Sequence, residues 1–422
     1  MSPSNTIGRG RSLCRVATIL ALLLAGMSTA SAVTMDISAS FRPDPLKPRE
    51  NTFTNTTPLG GYCFLHAAQC NALGISSVFF PIDVNASGPI QDNHASIRQG
   101  AMFKVPAQWR TVTVTHAITG ESSVVEMRVA GIGAQYRDLD VTALTGVPNV
   151  NVAHGLLWGS AWNEAPSPCR SSGLGAGVSA VTYSFFWHFP QTGVCAKQAR
   201  YLIPSFRYDQ VSFSYELRTP NPLKMSAGRY TGTMSYSIGP GGDFDFGDVM
   251  VANDSLLTLN FQLEVEHTLR VEVPPGGNKV VLEPQGGWQA WLNHGQKPTR
   301  LFRDQTFHLW ASSRFKMNLH CQFADASDNT CMLWAPSSGL LVPVNISVTL
   351  PSGLTDAAGQ PVNRRRLYLD GSGTELFQPG IFIDRKPGIL HFEVGRDQVG
   401  QMLTGDAKQY GGTVTVIWDS EV

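Results

Sequence analysis

Apolar and polar residues exchange places at every second position through segment after segment of this chain. "TVTVTHAI" (111–118), "SSVVEMRVAGI" (122–132), "VTYSFFWHF" (181–189), "VSFSYELR" (211–218), "VNISVTL" (344–350) and "ILHFEV" (389–394) all show it. A period of two sends successive side chains to opposite faces, as a half-buried strand requires. Gly, Pro, Asn and Asp separate the segments, and the 41 Gly and 26 Pro are spread along the chain rather than clustered. The pattern predicts an all-β chain of sandwich type, with β-sandwich domains in tandem. Only "VGQMLTG" (399–405) suggests a short helix.

The longest alternation places a domain boundary. Leu257, Leu259, Phe261, Leu263 and Val265 alternate with polar residues, and the odd-numbered pattern resumes at Leu269, Val271 and Val273. A strand is typically about 5–6 residues long, and one rigid strand over 257–273 would not lie inside a compact sandwich. Two strands back to back, joined near Glu266, His267 and Thr268, predict domains at 33–266 and 267–422. The chain also closes on a strand pattern, "YGGTVTVIWDSEV" (410–422), with Val414, Val416 and Trp418 on one face and Thr413, Thr415 and Ile417 on the other. An uncovered hydrophobic strand at a sheet edge is a liability, so this ending needs an explanation.

Residues 1–32 read as an export signal: Arg9, Arg11 and Arg15, an apolar run too short to span a bilayer, then Ala30, Ser31 and Ala32 before a mature start at Val33. Without Arg9, Arg11 and Arg15, the 32 basic residues fall to 29 against 32 acidic ones. That near-neutral balance gives no basic excess for nucleic acid or an anionic membrane surface. Six cysteines remain, Cys63, Cys70, Cys169, Cys195, Cys321 and Cys331. In an exported chain an even number reads as disulfides; sequential pairing is the simplest of several connectivities.

Chemistry is sparse. No Gly-x-Ser-x-Gly, His-Glu-x-x-His, phosphate loop or dinucleotide fingerprint occurs, and no cofactor, metal or catalytic residue is expected. Asp243, Asp245 and Asp248 in "IGPGGDFDFGD" (238–248) have oxygen-ligand spacing that a calcium ion could use. The favoured reading is a Gly-rich turn anchored by Phe244 and Phe246 with its aspartates facing water. Arg364, Arg365 and Arg366 read as a solvated loop, and Trp288 and Trp291 as core packing. Arg200, Arg207, Arg218 and Arg229 recur about every ten residues on successive predicted strands and could converge on one face, although ordinary solvent-facing strand arginines are the favoured reading.

Several of these stretches together resemble the CblD-like pilus biogenesis initiator family, the minor tip subunits of class 5 chaperone–usher fimbriae. The resemblance rests on "GRYTGTMSYSIGPGGDFDFGD" (228–248), "LTLNFQLEVEHTLRVEVP" (257–274), "GGWQAWL" (286–292), "VPVNISVTLPSGL" (342–354) and the terminal strand. It is specific from Gly228 onward; over 33–220 it rests on domain size and two cysteine pairs. It implies an immunoglobulin-like N-terminal adhesin domain for a host-cell receptor, expected to be a glycan, with Arg200, Arg207, Arg218 and Arg229 as candidate contacts. It implies a C-terminal pilin domain lacking its last strand. A periplasmic chaperone would lend that strand, and at the outer-membrane usher the N-terminal extension of a major pilin subunit would replace it. Leu269, Val271, Val273, Val414, Val416 and Trp418 would then line the donor-strand groove, and Val422 would offer its carboxylate to the chaperone. Residues 33–51 lack the long alternating arm of a mid-fibre subunit, which fits a tip position at the cell surface. The alternatives are a purely structural assembly initiator without a receptor and an exported β-sandwich hydrolase, the latter requiring paired carboxylates across a cleft.

Overall fold

A computed structural model of the chain describes Met1, residues 32–405 and residues 409–420. Apart from Met1 and Ala32, the expected signal segment lies outside the described residues, as does Val422. Strands dominate what is described, and no described helix is long and apolar enough to cross a membrane.

In the N-terminal half the main strands are β1 (Ala32–Phe41), β2 (Arg110–His116), β3 (Ser122–Asp138), β4 (Thr182–His188), β5 (Phe206–Arg218), β6 (Gly228–Ser237) and β7 (Leu256–Val265). Side by side they run β5–β3–β2–β6–β7–β1, with β4 also on β3. Every pairing in that path is antiparallel except β7 with β1, which run parallel over ten residues from Ala32↔Leu256 to Phe41↔Val265. β3 is 17 residues long, which corrects the expectation that a strand of that length has no place in a compact sandwich. It changes partner midway, from β2 at residues 122–127 to β4 at residues 131–137, and its ladder with β5 slips between Asp209 and Ser212 and again between Ser214 and Tyr215. Such bulges bend a strand around a core. Gly131 and Gly133 lie on that bend because a Cβ at either would meet the Phe186 ring within 2.6 Å.

The alternation through 257–273 does break at 266–268, for a reason the pattern hid. His267 occupies what would be the next inward position and is hydrogen-bonded by both ring nitrogens, Nε2 to the Met225 carbonyl at 2.9 Å and Nδ1 with Ser312 Oγ at 3.2 Å. Burial holds its pKa below the ordinary histidine value.

The following strands are β8 (Leu269–Glu272), β9 (Leu301–Ala311), β10 (Lys316–Cys321), β11 (Thr330–Trp334), β12 (Leu341–Thr349), β13 (Ile383–Val394) and β14 (Val414–Asp419). One sheet runs β8–β9–β13–β12–β11, and β10 pairs with β14 in a second. Side chains from both sheets meet in one cluster: Phe307, Leu309, Ile346, Val348 and Val394 from the first, Met317 and Leu319 from the second. A separate, larger cluster draws on residues from Ile37 to Val265.

Disulfides join Cys63 to Cys70, Cys169 to Cys195 and Cys321 to Cys331. The expected helix appears at Arg396–Thr404. Five more helices, Tyr62–Leu65, Ala67–Leu73, Val141–Thr145, Val150–Leu157 and Gln289–His294, correct the reading of a single one. None exceeds 8 residues, too short for a 3.6-residue period to show in sequence.

Candidate functional site

β14 has a strand on one side only. Met317, Leu319 and Cys321 of β10 sit opposite Trp418, Val416 and Val414, and no described strand pairs with its other edge. Alternation turns Val414, Val416 and Trp418 toward the core, where the Trp418 ring meets Phe307 and Phe315 at centroid distances of 5.0 and 5.6 Å. Their neighbours Met317 and Leu319 on β10 are 0% and 3% exposed, yet Val414, Val416 and Trp418 are only half-buried. The same cluster is therefore sealed under one strand and uncovered under the next. On the solvent face, Ile417 is 37% exposed.

β14 is fastened at both ends. Lys316 pairs with Asp419 at 3.1 Å. The backbones of Trp334 and Gly411 exchange two hydrogen bonds of 2.9 Å, and the Cys321–Cys331 disulfide ties β10 to β11. The bare edge thus belongs to a held strand rather than a frayed terminus.

β8 is another element with partly buried residues on this cluster. Among the described residues it pairs only with β9, and Leu269 and Val271 are half-buried on the same core. Val273 is not part of it: the strand stops at Glu272 and Val273 is 43% exposed. Pro274 and Pro275 follow, and proline can neither donate to a ladder nor leave its predecessor free. The structure adds two residues that alternation could not supply, Leu282 and Trp288, both half-buried against this cluster. Trp288 stands 5.8 Å from Trp291; the Trp-x-x-Trp spacing was the only signal for it.

The four arginines singled out in sequence are not brought together. Arg207 pairs with Asp209 at 3.1 Å, Arg218 with Glu126 at 3.5 Å, and Arg229 with Glu264 at 3.1 Å. Arg207 and Arg218 occupy opposite ends of β5, and Arg229 is on β6. Arg200 lies apart beside an open cavity of about 330 Å³ that Trp158, Glu164, Lys197 and Gln198 also line. Lys197 lends that cavity no free donor: its Nζ is spent on Ser160 O and Oγ and on Ala161 O, and burial lowers its pKa to about 8.

The three aspartates of 238–248 are engaged by arginines; Asp248 faces water as expected, whereas Asp243 is half-buried and Asp245 buried. Arg98 holds Asp245 through both terminal nitrogens at 2.9 and 3.2 Å and reaches Asp248 at 2.8 Å, while Arg110 holds Asp243 at 2.8 Å. Burial pushes the Asp245 carboxyl up, but Arg98 and the Gly241 and Gly247 amides outweigh it and keep the pKa below the usual range. Phe244 and Phe246 anchor the turn in the core as expected. Arg364 is exposed in a bend as read, but Arg365 and Arg366 form a short strand on β12, and Arg365 pairs with Asp356. One carboxyl stands out electrostatically. Asp138 is buried at the end of β3, and burial lifts its pKa to about 7.

No protein-family model matches the chain, and no curated protein does. Among solved structures it is similar to CfaE, the adhesive subunit of CFA/I fimbria of enterotoxigenic Escherichia coli, at 10% identity and a TM-score of 0.24, over 92% of each chain. It is also similar to the CsuC–CsuE chaperone–tip adhesion subunit pre-assembly complex of Acinetobacter baumannii Csu pili. That match has 12% identity and a TM-score of 0.21, over 93% of this chain and 99% of that one. At these scores the functional reading rests on the chain's own geometry.

Proposed function

We propose that this protein is a minor tip subunit of a chaperone–usher fimbria, built as an adhesin domain (33–266) followed by an incomplete pilin domain (267–422). The observation that carries the reading is the uncovered edge of β14, where Val414, Val416 and Trp418 stay half-buried over a core that β10 seals next door. A strand laid along that edge would form main-chain hydrogen bonds with β14 and bury those side chains, which is strand addition in trans. Leu269, Val271, Leu282 and Trp288 would contribute the far wall of the groove. In this reading a periplasmic chaperone supplies the strand first, and a major pilin's N-terminal extension takes its place at the outer-membrane usher. The subunit would thereby start the fibre and stand at its tip on the cell surface.

The adhesin role is proposed for the N-terminal half, with a host-cell glycan as receptor; the four arginines do not form one contact surface for it. Glycan-array binding by the full chain, completed with a donor strand, checks that role. No binding would leave a structural initiator.

The assembly role is tested by fusing an alternating apolar donor strand after Val422. Covering the edge should raise the melting temperature of the C-terminal half by about 10 °C, since each kcal/mol gained moves a domain of this size by about 2–4 °C. An unchanged melting curve would refute the incomplete-sandwich reading.

A further inference from the structure

The last strand of the N-terminal half is held in a way that matters when the molecule is pulled. β7 leaves that half at Val265, and β8 begins at Leu269. Over its whole length β7 lies between two partners. β6 pairs with it antiparallel from Gly228↔Val265 to Ser237↔Leu256, and β1 parallel from Ala32↔Leu256 to Phe41↔Val265, with no register shift in either ladder. Its inward side chains, Leu257, Leu259, Phe261, Leu263 and Val265, are all buried.

The connection beyond it is braced as well. His267 is held by Met225 of the N-terminal half and by Ser312, which follows β9. Arg42, just past β1, pairs with Glu266 at 2.6 Å, and the Pro48 carbonyl accepts from the Phe382 amide at 3.0 Å. Tension entering from the C-terminal half therefore reaches β7 through a short, anchored link.

The direction of that tension decides how the sheet resists. Ladder hydrogen bonds lie across the strand axis. A pull along the axis loads the bonds on both sides of β7 together, in shear, whereas a pull that separates the strands from one end opens them one at a time.

We propose that β7, clamped between β1 and β6, is the load-bearing strand of this protein, making the N-terminal half far more resistant to tension along β7 than to peeling. That the molecule is under tension in use rests on the fimbrial reading. The clamp itself follows from topology alone.

Forced unfolding of the full mature chain with paired cysteine handles tests this, since the six natural cysteines are all in disulfides. Handles at Thr34→Cys and Glu266→Cys grip opposite ends of the β1–β7 ladder and load it in shear. Handles at Leu46→Cys and Glu266→Cys grip the same end and peel it. All three positions are exposed, and both pairs lose the Arg42–Glu266 ion pair alike. The shear pair should rupture at more than twice the force of the peel pair, a rate-governed quantity measured at equal loading rate. Equal forces would overturn the clamp. Because the handles bracket only the N-terminal half, that result is independent of whether a donor strand stabilises the C-terminal half.

Discussion

β7 and β14 are similar strands in sequence and opposite in circumstance. Each alternates apolar and polar residues, and each is the last strand of its half. β7 has β6 on one side and β1 on the other, and its inward side chains are at most 2% exposed. β14 has β10 alone, and its inward side chains remain half-buried. Alternation shows that a strand has an apolar face; it is silent on whether the neighbouring strand belongs to the same chain. The proposed function turns on that neighbour coming from another chain.

The contrast can be attacked from its closed side first. Phe261→Ala in β7 should destabilise the N-terminal half by about 4 kcal/mol, the usual cost of deleting a fully buried phenylalanine, read by denaturant unfolding. A loss as small as that at β14 would mean that β7 is not sealed.

The closed half should also carry a pH signature of its own. Burial raises the folded Asp138 carboxyl to about 7 from 3.8, so the folded state keeps a proton that the unfolded chain gives up. The associated stabilisation is complete below the unfolded pKa and is lost as pH rises through the folded one, on the order of 4 kcal/mol in all. Asp138→Asn should flatten that slope in the N-terminal melting transition. An identical pH profile in the variant would refute the assignment.

Arg98→Ala probes the same half at its polar turn. It strands the buried Asp245 carboxylate and should cost about 3 kcal/mol, the scale for breaking a buried pair by removing one member. A loss under half that value would mean that water takes Arg98's place. The smallest effect is expected at the open strand. Val416→Ala should cost only about 1 kcal/mol in the chain alone, because the side chain is incompletely removed from water. That cost should grow once a donor strand is fused, and a constant value would blunt the contrast with β7.

Much of the architecture was legible in the sequence because a period of two survives in short strands. β2, β4, β12, β13 and β14 lie close to where alternation put them. The shorter helices were not legible: Tyr62–Leu65 and Ala67–Leu73 are too short to show a period, and a disulfide between them fixes what pattern could not. The residues over the open edge of the C-terminal cluster were legible in part. Leu269, Val271, Val414, Val416 and Trp418 follow from alternation, and Val273 fails because two prolines end its strand. Leu282 and Trp288 reach the site from an irregular segment without periodicity. Recurrence of the arginines in sequence does not encode ion-pair partners, and three of the four are matched to carboxylates.

Amide hydrogen exchange on residues 33–422 compares the two strands most directly. The amides of β7 should be protected along its length, because it is paired on both sides. In β14, the amides facing β10 should be protected and those facing the open edge should exchange quickly, then slow once a donor strand is fused after Val422. Uniform protection of β14 in the chain alone, unchanged by the donor, would contradict an edge that waits for another chain's strand.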